Sequence, residues 1–260
     1  MIAAGIEYAQ TGAGPPLVCL HGIGGGLDSF ARQSDPALGG FRVIAWNMPG
    51  YGRSRAFSHP ATFAALSDAL AGFLDALALK RVHLLGQSIG GMLALDHAIR
   101  RPDQVATLTL IGTTPSFGGR DASFGDAFLK ARLAPLDAGQ TMPELAAQSA
   151  RRIVGPMAGP EVVAAVEGPL SRVPEATWRD ILQCLVTFNR RDDLGRVTQP
   201  CCLIAGEHDQ NAPARTMARM AENLADAEYH LIDGAGHMIN QEAPGATNDI
   251  VANFLGRHPI

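Results

Sequence analysis

The sequence lacks the features that mark nucleic-acid-binding and membrane-spanning proteins. Charged residues make up 18% of the 260 residues and the formal net charge is −4, with no run of about five like charges. This mild negative balance disfavours nucleic acid or an anionic membrane as the main partner. No uninterrupted apolar stretch reaches about 18 residues, and the N-terminus has neither the basic start nor the apolar segment of a signal peptide. We therefore expect a cytoplasmic protein that binds neither nucleic acid nor membrane.

Cysteine is also scarce, which excludes a disulfide framework. The four cysteines are Cys19, Cys184, Cys201 and Cys202. Their spacing is not the paired spacing of a zinc site, and adjacent cysteines rarely bridge each other. Cys19 lies within the apolar run "PLVCLHG", which indicates a small buried thiol. The sequence therefore predicts no disulfide and no metal site.

What the sequence does contain is an alternation of short apolar runs and longer amphipathic segments. Six runs predict strands, at 16–22, 41–47, 81–87, 105–113, 200–207 and 228–236. Four segments predict helices, at 63–79, 89–102, 212–224 and 243–255. Strands that are almost continuously apolar are typical of a parallel sheet covered on both faces. The alternation predicts an α/β fold with right-handed crossovers, to which the first residues add only a short antiparallel edge hairpin.

One region breaks this alternation. Residues 115–196 contain no convincing strand, only Ala-rich helical pieces separated by Gly and Pro. We predict that they form a helical cap over the carboxyl edge of the sheet, and that residues 1–114 and 197–260 form the core domain. The charges of the cap are balanced, so it is not a basic binding surface.

The stretch "LLGQSIGGML" places Ser88 between a predicted strand and a predicted helix. A reversal this tight strains the serine backbone and leaves its hydroxyl clear of the sheet. Side chains at Gly86 and Gly90 would collide with the turn, and Gly91 lets the helix pack close to the strands. We therefore predict that Ser88 is a nucleophile.

A serine hydroxyl needs a base, and the base needs an acid. His237 follows the last predicted strand in a glycine-bounded loop, and Asp209 follows the strand before it. Both residues should lie at the sheet edge that carries Ser88, in the chain order of an α/β-hydrolase triad. The alternative acid position, after strand 105–113, holds Thr113 and Thr114, which cannot act as acids. Among the other histidines, we expect His97 to be solvated or to cap its helix.

A tetrahedral oxyanion needs two N–H donors. One should be the backbone N–H of Ile89, the first residue after the nucleophile. The other should be the backbone N–H of Ile23, turned inward by the glycines of "HGIGGG". We expect His21 to brace this loop rather than to take part in the reaction.

The motifs "LHGIGG", "WNMPGYGRS", "LLGQSIGG", "IAGEHDQNAP" and "IDGAGHMINQEAP" follow one another in the order and spacing of the α/β-hydrolase family. The chain resembles that family over its whole length, and most of all the branch of 3-oxoadipate enol-lactonase and small carboxylesterases. The resemblance implies a mostly parallel eight-stranded sheet with a short first strand, flanked by helices. It also implies a helical cap after strand six and the triad Ser88, Asp209 and His237.

Two details qualify the resemblance. Asn47 stands where relatives usually have Asp, and we expect it to stabilise the turn that follows. Because the nucleophile position holds Ser and not Asp, haloalkane dehalogenase and epoxide hydrolase chemistry is disfavoured.

The predicted reaction is hydrolysis of a small ester or lactone through an acyl-enzyme, without metal or cofactor. Three alternatives stay open: a carbon–carbon bond hydrolase of a vinylogous diketone, a cofactor-free perhydrolase, and a non-enzymatic small-ligand receptor. The expected partner is the small-molecule substrate, and a homo-oligomer is compatible with the sequence.

Two sets of cap residues are candidates for the pocket. The apolar candidates are Phe117, Phe124, Phe128, Trp178 and Phe188. The candidates for binding a substrate carboxylate are Arg132, Arg190 and Arg191. The neighbouring Asp192 and Asp193 make a solvated charge cluster the preferred interpretation of the last two.

Overall fold

The computed structural model describes residues 1–34, 36–117 and 122–260, without the side chain of Ala122. The strands in this part of the chain are β1 (Ile2–Ala3), β2 (Ile6–Thr11), β3 (Pro16–Leu20), β4 (Arg42–Trp46), β5 (Val82–Gln87), β6 (Val105–Ile111), β7 (Cys201–Gly206) and β8 (Ala227–Ile232). They form one sheet in the order β1-β2-β4-β3-β5-β6-β7-β8. The pairs from β4 to β8 are parallel, and the pairs of β2 with β1 and β4 are antiparallel. The predicted fold, mostly parallel and eight-stranded, is confirmed.

Helices connect the strands. The α-helices of the described residues are α1 (Phe63–Ala76), α2 (Ile89–Arg100), α3 (Ala122–Asp137), α4 (Met142–Ile153), α5 (Pro160–Ser171), α6 (Glu175–Val186), α7 (Ala214–Glu222), α8 (Ile239–Glu242) and α9 (Pro244–Gly256). Short 3-10 helices cover Leu27–Gln33, Pro102–Gln104 and Arg191–Arg196. None of these helices combines the length and apolar character needed to cross a bilayer.

The first residues form the expected short hairpin, and its second strand is extended by a further pairing. β2 lies antiparallel to β4, from Tyr8 opposite Trp46 to Thr11 opposite Val43. The Tyr8 ring packs edge-on against Phe73 of α1, with 5.4 Å between the ring centroids. The edge hairpin is therefore joined to the core through side-chain packing as well as through the sheet.

The core lies on both faces of the sheet. Thr62 is the N-cap residue of α1, and its side chain accepts a hydrogen bond from the N–H of Ala65. Leu66, Leu70 and Phe73 are fully buried, which confirms the apolar helical face that the spacing predicts. Each such side chain contributes about 1.5–3 kcal/mol relative to an exposed position.

The cap, residues 115–196, lies between β6 and β7. Its described residues form helices and no strand beyond an isolated bridge between Ser116 and Asn189. Next to this bridge the N–H of Phe117 donates to the carbonyl of Phe188 at 2.8 Å, so the two ends of the cap lie side by side. The helical cap after strand six is confirmed. Its treatment as a domain separate from 1–114 and 197–260 stays a prediction.

His97 differs from the expectation that it is solvated or capping. It is fully buried. α2 packs between the sheet and α1, and every one of its residues from 89 to 99 is buried. Its Nδ1 shares a hydrogen bond of 2.9 Å with the Ser67 hydroxyl. Burial, with a smaller contribution from Arg101, lowers the pKa of His97 to about 4. The histidine is therefore a neutral core residue.

Candidate active site

Ser88 lies on a sharp turn between β5 and α2. Its backbone has φ 56° and ψ −122°, a strained conformation for a non-glycine residue that costs about 1–3 kcal/mol. A Cβ on Gly86 would lie 2.3 Å from the carbonyl oxygen of Gly90. A Cβ on Gly90 would lie 2.0 Å from the carbonyl oxygen of Leu20. The steric requirement for these glycines, predicted from the sequence, is confirmed.

Hydrogen bonds from the end of β6 hold this turn. The N–H of Ser88 donates to the carbonyl of Ile111 at 2.9 Å. The Thr113 hydroxyl donates to the carbonyl of Ser88 at 2.8 Å. A Cβ on Gly91 would lie 2.8 Å from the Thr113 Cβ, which confirms the close packing expected at Gly91. The sequence indicated only that Thr113 cannot act as the acid, and its hydrogen bond to Ser88 was not predicted.

Asp209 and His237 are brought together as predicted. His237 Nδ1 lies 2.8 Å from Asp209 Oδ2. The other carboxylate oxygen of Asp209 accepts the N–H groups of Asn211 and Ala212 at 2.8 and 2.9 Å. Because a carboxylate only accepts hydrogen bonds, it places the hydrogen of the neutral imidazole on Nδ1 and leaves the Nε2 lone pair free.

The charge of Asp209 is stabilised locally. Burial raises its pKa, but the His237 side chain and the two backbone N–H groups outweigh burial and leave the pKa below its ordinary value. Asp209 is therefore ionised at neutral pH, and it can stabilise a positive charge that develops on the imidazole.

Gly112 packs directly against this pair, and sequence reasoning missed it. Its φ is +52°, and a Cβ there would lie 3.2 Å from Asp209 Oδ2 and 3.3 Å from His237 Nδ1. Its N–H donates to the carbonyl of Ile204 at 3.0 Å, which continues the β6–β7 pairing. A glycine near the end of the predicted strand 105–113, in "LIGTT", was the available signal.

Ser88 and His237 line one cavity of about 1150 Å³, which Ile23 and Gly24 also line. Ile89 is buried at the start of α2, where its N–H has no acceptor within the helix. The structure thus places Ser88, His237 and Ile23 around one space and Ile89 next to the serine.

Hydrogen bonds brace the loop that carries Ile23. His21 Nε2 accepts the N–H of Met48 at 3.0 Å, and its Nδ1 donates to the carbonyl of Gly22 at 2.7 Å. The Tyr51 hydroxyl donates to the carbonyl of Ile23 at 2.7 Å. Burial lowers the pKa of His21 to about 4, so the imidazole remains neutral and keeps both contacts. The bracing role expected for His21 is confirmed.

Asn47 connects the same loop with the turn that follows Asn47, as expected for the turn, because the Glu7 carboxylate that its amide contacts also accepts the N–H of Arg53 at 2.8 Å. Its Oδ1 accepts the N–H of Leu27 at 3.0 Å, and its Nδ2 donates to the Glu7 carboxylate at 2.8 Å. An Asp at this position would place a second carboxylate against Glu7. The amide therefore suits the surroundings that this chain provides.

The pocket candidates separate into two groups. Four of the aromatic candidates line the cavity: Phe117, Phe124, Phe128 and Trp178. Phe188 instead packs against Phe63, with 4.5 Å between the ring centroids. Phe188 therefore belongs to the core.

The arginine candidates also separate. Arg132 and Arg191 line the cavity. The Arg132 guanidinium lies 5.2 Å from the centre of the Phe128 ring, a cation–π distance. Arg190 is held by Asp96 and Asp193 instead, at 2.6 and 2.9 Å. The charge-cluster interpretation therefore applies to Arg190 and not to Arg191.

One group of potential metal ligands lies outside this site. Within the described residues, the donor atoms of Cys202, Glu228 and His230 lie within 4.8 Å of one another. The Glu228 carboxylate already contacts His230 and Arg257. Burial and the nearby Glu228 raise the pKa of the Cys202 thiol far above its ordinary value. With a protonated thiol and an arginine on the carboxylate, the group forms a hydrogen-bonded cluster.

Comparison with known proteins places the chain among hydrolases. The alpha/beta hydrolase fold family model matches residues 15–244. A candidate carbamate hydrolase named RutD, from Caulobacter sp. strain K31, is 29% identical, over 95% of each chain. The 2-hydroxymuconate semialdehyde hydrolase of Pseudomonas sp. strain CF600 is 31% identical, over 98% of this chain and 92% of the relative. The enol-lactonase of Burkholderia xenovorans LB400 superimposes with a TM-score of 0.87 at 23% identity, over 96% of each chain.

Proposed function

The chain belongs to the alpha/beta hydrolase fold family, and from that premise we propose that it is a serine hydrolase of a small ester or lactone. The observation that carries the proposal is the Asp209–His237 hydrogen bond of 2.8 Å, beside a cavity that the strained Ser88 also lines. A nucleophile on a tight turn, a base and an ionised acid are the parts that acyl transfer needs.

In the proposed mechanism Ser88 Oγ attacks the substrate carbonyl while His237 Nε2 takes the hydroxyl proton. Asp209 stabilises the imidazolium that forms. The backbone N–H groups of Ile23 and Ile89 donate to the oxyanion, and each such donor contributes about 3 kcal/mol to transition-state stabilisation. His237 then protonates the leaving oxygen, which departs and leaves Ser88 acylated. Water, deprotonated by His237, attacks the acyl-enzyme. The bond between the acyl carbon and Ser88 Oγ then breaks, and the His237 imidazolium returns the proton to Ser88 as the acid is released.

A second candidate is hydrolysis of a carbon–carbon bond. It is supported by the 31% identical relative that is named as a 2-hydroxymuconate semialdehyde hydrolase. The same three side chains could serve either reaction, because both pass through attack on a carbonyl and protonation of a leaving group. Product identity separates the two candidates.

The arginines of the cavity support a substrate that carries a carboxylate. Eight arginines form salt bridges among the described residues, and none of the eight lines the cavity: Arg53, Arg100, Arg101, Arg172, Arg179, Arg190, Arg196 and Arg257. The four arginines that line the cavity have no salt-bridge partner among the described residues: Arg132, Arg191, Arg215 and Arg219. Asp192 is the one carboxylate in the described lining. Such an excess of cations concentrates anionic ligands in a cleft.

The first experiment treats the protein with a fluorophosphonate, measures the intact mass and maps the labelled peptide. A single adduct on Ser88, absent from Ser88→Ala and slowed in His237→Ala, is the expected result. Unlabelled protein is then assayed against matched esters with a neutral or a carboxylate-bearing acyl group, enol-lactones and vinylogous diketones. Folded protein without an adduct would contradict the serine hydrolase proposal and favour a ligand receptor.

A further inference from the structure

The carboxylate of Glu242 is placed against the histidine loop and is not used by the mechanism above. Glu242 is the last residue of α8. Its Oε2 accepts the N–H groups of Gly155 and Gly236 at 2.6 and 2.9 Å, and its Oε1 accepts the N–H of Met238 at 2.9 Å. Two of these donors stand directly before and after His237, and the third belongs to the cap. One side chain therefore holds both sides of the proposed base and a piece of the cap.

The backbone around this carboxylate is packed too tightly to shift without breaking contacts. A Cβ on Gly236 would lie 2.3 Å from the N of Gly155, and a Cβ on Gly155 would lie 2.3 Å from the carbonyl oxygen of Gly234. The N–H of His237 itself donates to the carbonyl of Ile153 at 2.7 Å. The cap segment 153–155 and the loop 234–238 thus form one hydrogen-bonded unit around the Glu242 carboxylate.

Glu242 does not reach the cavity, although Ile153 and His237 line it. Its contribution therefore has to pass through the backbone of His237. Ser88 and His237 line the same cavity, and the proposed proton transfer needs Nε2 turned towards Ser88 while Nδ1 stays 2.8 Å from Asp209 Oδ2. A rotation of the peptides on either side of His237 would disturb this orientation. Hydrogen bonds to a carboxylate are short and about twice as strong as neutral ones, which suits them to oppose such a rotation.

We propose that Glu242 is a positioning residue for the hydrolytic reaction, which holds the His237 loop against cap segment 153–155 and so couples the position of the cap to the orientation of the base. This inference rests on the proposed serine hydrolase function. It predicts that the carboxylate is needed for the rate of the chemical step and not for substrate binding.

Glu242→Gln is the sharpest variant, because it keeps the size of the side chain. A carboxylate offers two acceptor oxygens to the three N–H donors, whereas an amide offers one oxygen and an NH₂ group that only donates. Whichever way the amide is turned, at least one backbone N–H next to His237 or in the cap faces another donor. Glu242→Ala removes both acceptor oxygens and leaves space for formate.

Asp180→Asn is the matched control. Asp180 lies on α6 of the cap, and its carboxylate accepts the backbone N–H of Ala61 in the core at 2.9 and 3.2 Å. Like Glu242 it is partly buried and links cap to core through a backbone N–H. It does not line the cavity, and an amide keeps one acceptor oxygen for the single N–H of Ala61. The variant therefore tests the loss of a carboxylate charge between cap and core without disturbing the His237 loop.

The experiment measures kcat and KM with an ester that the wild type hydrolyses, the rate of fluorophosphonate labelling, and Tm, for wild type, Glu242→Gln, Glu242→Ala and Asp180→Asn. For Glu242→Gln we expect kcat and the labelling rate to fall about 10–100-fold, as misplacement of a catalytic group by a fraction of an ångström would cause. KM should stay within about threefold of wild type. For Asp180→Asn we expect kcat within about twofold of wild type, and formate should restore part of the Glu242→Ala rate.

The outcomes are distinct. A Glu242→Gln variant with wild-type kcat and labelling rate would overturn the inference while leaving the serine hydrolase proposal intact. Equal losses of kcat in Glu242→Gln and Asp180→Asn would also overturn it, because they would assign the effect to the loss of a carboxylate charge between cap and core and not to the His237 loop. Absence of both labelling and turnover in the wild type would overturn the proposed function, and the inference with it.

Discussion

The core and the cap of this protein are held together by different chemistry. All eight histidines lie outside residues 115–196, and four of them are buried: His21, His83, His97 and His237. The core relies on apolar strands and on glycines that let backbones approach closely. The cap contacts the core through polar pairs as well, such as Arg190 with Asp96 and Arg172 with Asp28. The difference indicates that backbone packing in the core fixes the geometry of the site. The cap is attached partly by ion pairs, whose strength depends on charge.

The largest expected effect is on kcat and comes from a substitution in the core, whereas a substitution in the cap should affect substrate binding. Ser88→Ala should lower kcat by at least about 10³-fold, because the proposed nucleophile is lost while the fold is unchanged. Phe128→Ala, at the cavity wall in the cap, should act mainly on KM. Steady-state kinetics on both variants, with thermal unfolding as the control for folding, make the test. A Ser88→Ala variant that keeps more than about a tenth of the rate would contradict the assignment.

The close backbone contacts of the core predict the next largest effect. Gly90→Ala should destabilise the protein by about 3 kcal/mol, because the new Cβ would lie 2.0 Å from the Leu20 carbonyl oxygen and α2 would have to move away from β3. Gly72→Ala in α1 is the matched control, since nothing lies within 4 Å of its Cβ position. It should stabilise by about 0.5–1 kcal/mol. Urea unfolding measures both, and a similar effect of the two substitutions would contradict the steric argument.

Acid should destabilise the core through its buried histidines. Burial is the main cause that lowers the pKa of His21, His83 and His97 to about 4, from an ordinary value of 6.5. The unfolded chain therefore takes up protons first, so stability is lost as the pH falls from 6.5 towards 4. The loss is about 2 kcal/mol for each histidine at pH 5.

Urea unfolding at pH 7 and pH 5 checks this expectation. His97→Asn is the informative variant, because the amide can still hydrogen-bond Ser67 but does not titrate. It should lose about 2 kcal/mol less between the two pH values than the wild type does. An unchanged pH dependence would show that titration of His97 does not cause its expected part of the loss in unfolding free energy.

The smallest expected effects concern the polar pairs that attach the cap. Asp96 is 1% exposed and contacts both Arg100 and Arg190, so Asp96→Asn should cost about 2 kcal/mol by leaving two cations without their carboxylate. The Arg172–Asp28 pair is 64% and 70% exposed, and Asp28→Asn should cost less than about 0.5 kcal/mol. Thermal unfolding at low and high salt distinguishes the two, and equal costs would contradict the role of burial.

Much of the site could be predicted from short stretches of sequence. Ser88 is identified by the glycines around it, and Asp209 and His237 by their places after two strands. The carboxyl ends of parallel strands meet at one edge of a sheet. The order of strands along the sequence therefore predicts that residues directly after them lie close together. Gly112 and Thr113 were not recognised, because their contacts are with Asp209, His237 and Ser88 on neighbouring strands. The glycine in "LIGTT" predicts a break in the strand but not what packs against it.

The sequence by itself determined the sheet, the tight turn at Ser88 and the places of Asp209 and His237 after two strands, because apolar periodicity and glycine sterics act over a few residues. The tertiary structure alone decided which arginines line the cavity, that His97 is buried, and that Glu242 joins the cap to the histidine loop. These features depend on contacts between segments far apart in the chain, such as Gly155 and Glu242. An amphipathic pattern predicts which face of a helix is buried, but the packing of the whole chain decides what that face contacts.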